Sequence, residues 1–360
     1  MMIKRKWKLI ILPLISVVVI IVLFLYISAS WKRTKVGILI SMTGKYSEVG
    51  SHMAGGLEMF KLENPDSDLV LILKDTQGDP AICAKLAEEL IRKEHVKVLV
   101  GETTSKNTLE LVRTAEKYGV PVLIPRPVIY DLEEYDCAFE LAPDVYDVSK
   151  VVIATLKSLV GKDGRVLVVH DEGNDYSRKL TKNLDSNLKE IGYSVNPVSD
   201  ISRWRKDDFN KYSAIVVHRK YSVEMANIVK RILSLGYGGR IIVASAKLEL
   251  MKEYLGEKTE GIYFIDYRFR YTEEGDRFSK KFFEFFGTRP YLSAVLMYDS
   301  LSYIEFLVKE KRGIPLKEAI RNTPYRGIAG YIGDGMDRKS LLIPVICTSK
   351  GVKPLDRFGR

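Results

Sequence analysis

Cysteine and histidine are scarce in this 360-residue chain, which has three of the first (Cys83, Cys137, Cys347) and four of the second (His52, His95, His170, His218). No CxxC or similar spacing joins the cysteines and no two histidines stand at i, i+4, so neither a disulfide scaffold nor a zinc site is expected, and at least one thiol stays unpaired. Catalytic signatures are missing as well: there is no GxSxG, no paired-acid motif and no Cys-His signature. Gly44-Lys45 invites a phosphate-loop reading, but Leu39 stands where that loop's first glycine belongs, and Tyr46 replaces the hydroxyl that would hold magnesium. The expectation is a protein that catalyses nothing and carries no metal or cofactor. Long Ser/Pro linkers and exact repeats are also lacking, so any lobes must be joined by several short crossings.

Charge is unevenly supplied: net +10, with 28% charged and 46% hydrophobic residues. The basic residues are scattered singly, which reads as a solvated surface rather than a nucleic-acid face. One long apolar run exists. Leu9 to Trp31 carry no charge, and as a helix they would reach about 34 Å, enough to cross a hydrocarbon layer. Lys4, Arg5, Lys6 and Lys8 precede this run, so its N-terminus stays in the cytoplasm and the rest is exported, although Lys32, Arg33 and Lys35 weaken the asymmetry. Residues 1–31 therefore read as a membrane anchor or uncleaved signal. Ser28 and Ser30 leave cleavage as the alternative.

From Lys35 onward short β-branched runs alternate with helical stretches, the pattern of a parallel sheet covered on both faces. Strands are expected at Val36–Ser41, Leu69–Leu73, Val96–Val100 and Val120–Ile124, then at Val166–Val169, Ala214–Val217 and Ile241–Ala244. The clearest helix has Asp79 as N-cap, Pro80 at its first position and Ile82, Leu86 and Leu90 on one face. Phe278, Phe282, Phe285 and Phe286 read as core. Residues 327–343 return to strand character, and these late elements are expected to complete the earlier sheets. In such α/β sheets small ligands bind at loops beyond the carboxyl ends of the strands. There, Gly101-Glu102-Thr103-Thr104-Ser105 places hydroxyls and free N–H groups at a helix start, a suitable seat for a carboxylate, with plain N-capping as the alternative.

A family resemblance rests on an ordered set of segments. These are Val36–Tyr46 with Gly50 and Gly55-Gly56, Asp75–Pro80, the Gly101 loop, Gly119–Pro125, Tyr298-Asp299 and Gly327–Gly330. In order and spacing they are similar to the branched-chain amino acid binding proteins of ABC transporters, from Lys35 to the C-terminus. The resemblance implies the type I periplasmic binding fold: α/β, two Rossmann-like lobes with parallel sheets, joined by a three-crossing hinge. The crossings would lie near Leu141, Asp266 and Gly327, giving lobes of 35–141 plus 267–327 and 142–266 plus 328–360.

The resemblance also implies site residues. Tyr46, Thr104 and Ser105 would act from the first lobe, and Tyr176 and Tyr221 from the second, with Ser177 replacing the family's glycine after Tyr176. Two departures concern the ligand's ammonium group. Val128 falls near the family's threonine, and Lys247 stands where a cleft carboxylate would be. With Arg126, they would favour a ligand that has several negative groups or no positive one. The implied partners are a small amino acid or related carboxylate, an ABC permease and the membrane, with no nucleic acid. The alternative is a membrane-anchored sensing domain that signals through a partner protein.

Overall fold

A computed structural model describes residues 33–355, apart from 162, 245, 246 and 334. Among the described residues no helix is long and apolar enough to cross a membrane. The expected anchor at 1–31 lies outside them.

The first lobe contains strands β1 (Thr34–Ile40), β2 (Leu69–Asp75), β3 (Val98–Gly101), β4 (Val122–Ile124) and β5 (Ala138–Glu140), with helices α1 (Ser47–Glu63), α2 (Pro80–Arg92) and α3 (Ser105–Tyr118) between them. All strand pairs are parallel, in the order β2-β1-β3-β4-β5. The inner strands β1, β3 and β4 form because their short apolar runs can be buried on both faces, whereas β2 and β5 at the edges are only partly buried. Asp79 caps α2 as expected, accepting from the N–H groups of Ala81 and Ile82.

The second lobe contains α4 (Val145–Leu159), β6 (Arg165–Val169), α5 (Asp175–Glu190), β7 (Ser194–Val198), α6 (Lys206–Phe209), β8 (Ala214–Val217), α7 (Ser222–Ser234), β9 (Arg240–Val243), α8 (Leu248–Leu255) and β10 (Tyr263–Tyr267). Its strands run β7-β6-β8-β9-β10, the same winding as the first sheet. The chain then returns to the first lobe for α9 (Glu273–Phe286), α10 (Leu292–Glu310), α11 (Leu316–Asn322) and a small hairpin of β11 (Tyr325–Arg326) and β12 (Tyr331–Ile332). Finally β13 (Leu342–Thr348) and β14 (Gly351–Pro354) extend the second sheet, antiparallel to β10 and to each other. The late strands thus complete only one of the two sheets. The hairpin pairs with neither.

Helix α10 is the spine of the first lobe, buried along most of its length against α1. It can approach because α1 has Gly56 at the contact, where any Cβ would collide with the Ala294 carbonyl. Gly55 does the same for the ring of Phe282. Phe278 and Phe282 are buried, whereas Phe285 and Phe286 are 59% and 38% exposed, contrary to expectation. Helical spacing puts all four on one stripe, but the last two belong to the final turn, where no neighbour covers the helix. Periodicity gives the face and not the end of the partner.

Asp299 on α10 accepts hydrogen bonds from the N–H groups of Ile328 and Ala329, both at 2.8 Å. A side chain at Gly327 would strike that carboxylate. The Tyr298-Asp299 and Gly327–Gly330 segments therefore fasten the approach to the last crossing. Ala329, Ile332 and Leu341 are packed in the first lobe's core, so the third crossing runs through 333–341 and lies later than Gly327. Arg338 on this crossing reaches Glu140, Asp144 and Asp147 of the first crossing, at 3.2, 2.9 and 3.2 Å. Arg268 on the second crossing donates to the Ser340 carbonyl at 2.7 Å. Cross-bonding makes the three connections one unit.

Candidate ligand-binding cleft

In each sheet the winding reverses once, between β1 and β3 in the first lobe and between β6 and β8 in the second. Loops diverge at such a point and leave a crevice beyond the strand ends. The segments after β1 and β3 carry Tyr46, Thr104 and, at the start of α3, Ser105, and those after β6 and β8 carry Tyr176, in the first turn of α5, and Tyr221. All five residues implied for the clamp therefore lie at the two reversal points.

In the first lobe the floor of the crevice is a buried polar network. Glu102, 0% exposed, accepts from the Ser41 hydroxyl at 3.1 Å, from the Thr76 hydroxyl, and from the N–H groups of Thr103 and of Thr104, the latter at 3.0 Å. Burial pushes the Glu102 carboxyl above the usual range, and these donors work against that rise. Thr104 caps α3 by accepting from the N–H of Asn107 at 3.2 Å, while Ser105 accepts from the N–H of Ile129 at 3.3 Å. The expected anion seat at this helix start is thus occupied in part by the chain's own carboxylate. What Thr104 and Ser105 can still offer a ligand is their hydroxyl hydrogens.

Tyr46 is 39% exposed at the rim, with Gly78 beneath its ring at a point where a Cβ would come within 2.8 Å. Across the cleft, Lys220 lies 4.9 Å from the centre of the Tyr221 ring, and Tyr46 is among the electrostatic neighbours of that ammonium. Tyr221 itself is exposed and makes no capping bond to α7. Tyr176, in the first turn of α5, is half-buried against the second lobe's core. Burial raises its phenol, and its electrostatic neighbours are Tyr267, then Asp144 and Asp147.

Arg126, in the loop after β4, is half-buried, and burial pulls its guanidinium below the ordinary arginine value, with Tyr267 and then Glu102 drawing it back. No carboxylate of the described residues lies within ion-pair distance of it. Glu102 is already committed to four donors. Such a cation, partly buried and without an ion-pair partner among the described residues, is costly unless something else supplies negative charge.

Two expected residues make contacts within the protein. Val128 is 4% exposed, packed in an apolar layer of the first lobe and edging a groove of about 570 Å³ along the hinge. Lys247, at the N-terminus of α8, reaches the first lobe: its ammonium donates to the Tyr291 hydroxyl at 2.8 Å and stands 3.5 Å from Glu48. A further bridge joins the Lys179 ammonium of α5 to the Ile129 carbonyl. Tyr267 was missed from the sequence, although its place beside the expected second crossing could have drawn attention. Glu48 and Tyr291 carry no sequence signal at all.

The geometry is that of two similarly wound lobes that touch through contacts such as Lys247 with Tyr291 and Lys179 with Ile129, and comparison with known proteins gives the family of this fold. A model of the periplasmic binding protein family matches residues 33–341. The chain belongs to that family. Among solved structures of its members, a leucine-binding protein from Thermotoga maritima superposes with a TM-score of 0.67 at 22% identity, covering 89% of this chain and 97% of the other. A solute-binding protein of an ABC transporter from Rhodopseudomonas palustris, in complex with 3,4-dihydroxybenzoic acid, gives 0.67 at 17% identity, with 89% and 95% covered. At these identities the likeness is one of fold, the type I periplasmic binding fold. Glutamate receptor 1.1 of Arabidopsis thaliana is 23% identical over 228 residues, 62% of this chain. The match spans only 27% of that receptor's length. Periplasmic binding proteins bind solutes, and this chain has their architecture.

Proposed function

We propose that this protein is an extracytoplasmic solute receptor which closes its lobes on a small carboxylate lacking an ammonium group and presents it to an ABC permease. The unpaired guanidinium of Arg126 carries the reading. A carboxylate ligand would supply its missing counter-charge by a charge-assisted hydrogen bond, while the hydroxyls of Thr104, Ser105 and Tyr176 complete its hydration shell. An amino acid would instead bring an ammonium toward Arg126, with the nearest buried carboxylate, Glu102, already committed. The relative that holds 3,4-dihydroxybenzoic acid shows that this fold accommodates such acids. Closure proceeds by rotation about the three cross-bonded crossings, a hinge mechanism, with the membrane segment at 1–31 keeping the receptor beside its permease.

The test is a thermal-shift screen of the full chain in mild detergent against leucine, isoleucine, benzoate, 3,4-dihydroxybenzoate and succinate. At a hundredfold excess over Kd, a ligand that binds only the native state raises the melting temperature by about 5 °C. The expected hits are acids without an ammonium group, and Arg126→Met abolishes them. A response confined to leucine and isoleucine, unchanged in Arg126→Met, would overturn the reading. The partial match to a plant glutamate receptor favours a second reading, a sensing domain read out by a partner protein. Co-purification of the cross-linked chain with a permease or with a signalling protein separates the two.

A further inference from the structure

Lys247 belongs to the second lobe, whereas Glu48, in the first turn of α1, and Tyr291, just before α10, belong to the first. The Lys247 ammonium donates to the Tyr291 hydroxyl at 2.8 Å and lies 3.5 Å from Glu48. The Tyr291 hydroxyl in turn donates to Glu48 at 3.1 Å. The same ammonium stands 4.3 Å from the centre of the Tyr291 ring, a cation–π distance. That ring is stacked on His52 at 3.5 Å between centroids, and His52 is 9% exposed with its Nδ1 unpartnered. Every one of these contacts is protein to protein. We infer that Lys247, Tyr291 and Glu48 form a latch that holds the lobes together without any help from ligand, so that the empty receptor populates its closed form.

Two consequences distinguish a latch from a ligand contact. Apparent affinity is the intrinsic affinity multiplied by the fraction of competent protein, so releasing the latch weakens every ligand by one common factor and leaves selectivity unchanged. The latch also responds to acid. His52 is held below its ordinary value of 6.5 by burial first and by Lys247 second, while Glu48 draws it upward. The remaining rings against it, Tyr291 and Phe282, are uncharged. Opening removes Lys247 while the first-lobe rings stay on the imidazole, so the open form takes up a proton more readily below about pH 6.5, and acidification favours opening.

The experiment uses the full chain, freed of bound solute by unfolding and refolding, with fluorophores at Leu62→Cys and Tyr254→Cys. Both positions are exposed, and the native Cys83, Cys137 and Cys347 are buried. Single-molecule energy transfer then reads the distance between lobes with no ligand added. The wild type is expected to show a dominant short-distance population, and Lys247→Met to lower the closed-to-open ratio about tenfold, equivalent to about 1.4 kcal/mol. Tyr291→Phe keeps the stacked ring and the fold but loses both hydroxyl bonds, and shifts the ratio the same way. His52→Asn removes the opening seen in wild type between pH 7 and 5.5. An empty wild type found wholly at long distance, or the same ratio in wild type, Lys247→Met and Tyr291→Phe, overturns the latch. Because no ligand enters the measurement, neither outcome depends on which acid the cleft accepts.

Discussion

The two lobes share one strand winding, yet they satisfy the polar groups at their reversal points by opposite means. The first uses an acid: Glu102, buried among Ser41, Thr76 and the N–H groups of Thr103 and Thr104. The second uses a base: His218, 0% exposed, with its ring nitrogens 3.0 and 3.2 Å from the hydroxyls of Ser177 and Thr181. Burial lowers the His218 imidazole to about 3, so at neutral pH the floor of this lobe is uncharged. The first lobe has spent backbone N–H groups of its anion-binding helix start on an internal carboxylate. Arg126, in the loop after β4, has Tyr267 and Glu102 as its electrostatic neighbours, and under the proposed function it is the side chain that would meet a ligand's carboxylate. The same winding thus leaves one lobe with a buried carboxylate at its reversal point and the other with a buried imidazole.

Removing each floor in turn breaks this comparison most sharply. Glu102→Ala leaves two N–H groups and two hydroxyls without their acceptor and is expected to cost about 3 kcal/mol or more in urea unfolding, given 1–3 for each buried group left unpaired. Glu102→Gln, which keeps an acceptor oxygen, should lose distinctly less. A loss under about 1 kcal/mol for the alanine variant would show that the carboxylate is dispensable to the first lobe.

The second floor should be felt through pH. His218 is depressed from 6.5 to about 3 in the folded chain, so its contribution is fully present above 6.5 and is lost as pH falls toward 3, by at most about 1.4 kcal/mol per unit. His218→Gln is expected to flatten the stability profile over that interval. Parallel wild-type and variant profiles would mean that the imidazole is not held neutral. Glu140 has the opposite sign. Burial raises it to about 7 despite Arg338, so its contribution is present below its ordinary value and fades as pH rises through 7.

The smallest expected effects concern the hydroxyls that each lobe is proposed to offer the ligand. Ser105→Ala in the first lobe and Tyr176→Phe in the second should each weaken binding of the acid found in the screen by about tenfold, the size of a hydrogen bond to a charged group, with melting temperature nearly unchanged. Isothermal titration decides between equal and lopsided roles for the lobes. Unchanged affinity in both variants would remove these hydroxyls from the site.

Much of the frame was legible because it is local. Strand Ala214–Val217 has the expected bounds, and Asp79 and Pro80 open their helix as their side-chain chemistry requires. The family segments were legible too, although Gly55, Gly56, Asp299 and Gly327 turn out to serve close packing and the fastening of a crossing, not the ligand. Charge in the crevice was only half legible. Arg126 and Lys247 were both noticed as cations, but their fates differ: one has no ion-pair partner among the described residues, and the other is drawn across to Glu48 and Tyr291.

By itself, then, the sequence determined the alternation of strands and helices, the lobed class of the fold and the loops that could meet a ligand. Hydrophobic period and capping act over a few residues, and they are written directly into neighbouring positions. Only the tertiary structure decided that Glu102 occupies its own helix start, that Val128 is core, that the last aromatic turn of α9 is bare, and that Tyr291 meets Glu48 from 243 positions away. Those outcomes depend on which side chain reaches a polar group first once the sheets have wound and the lobes have met, and no local pattern carries that distance.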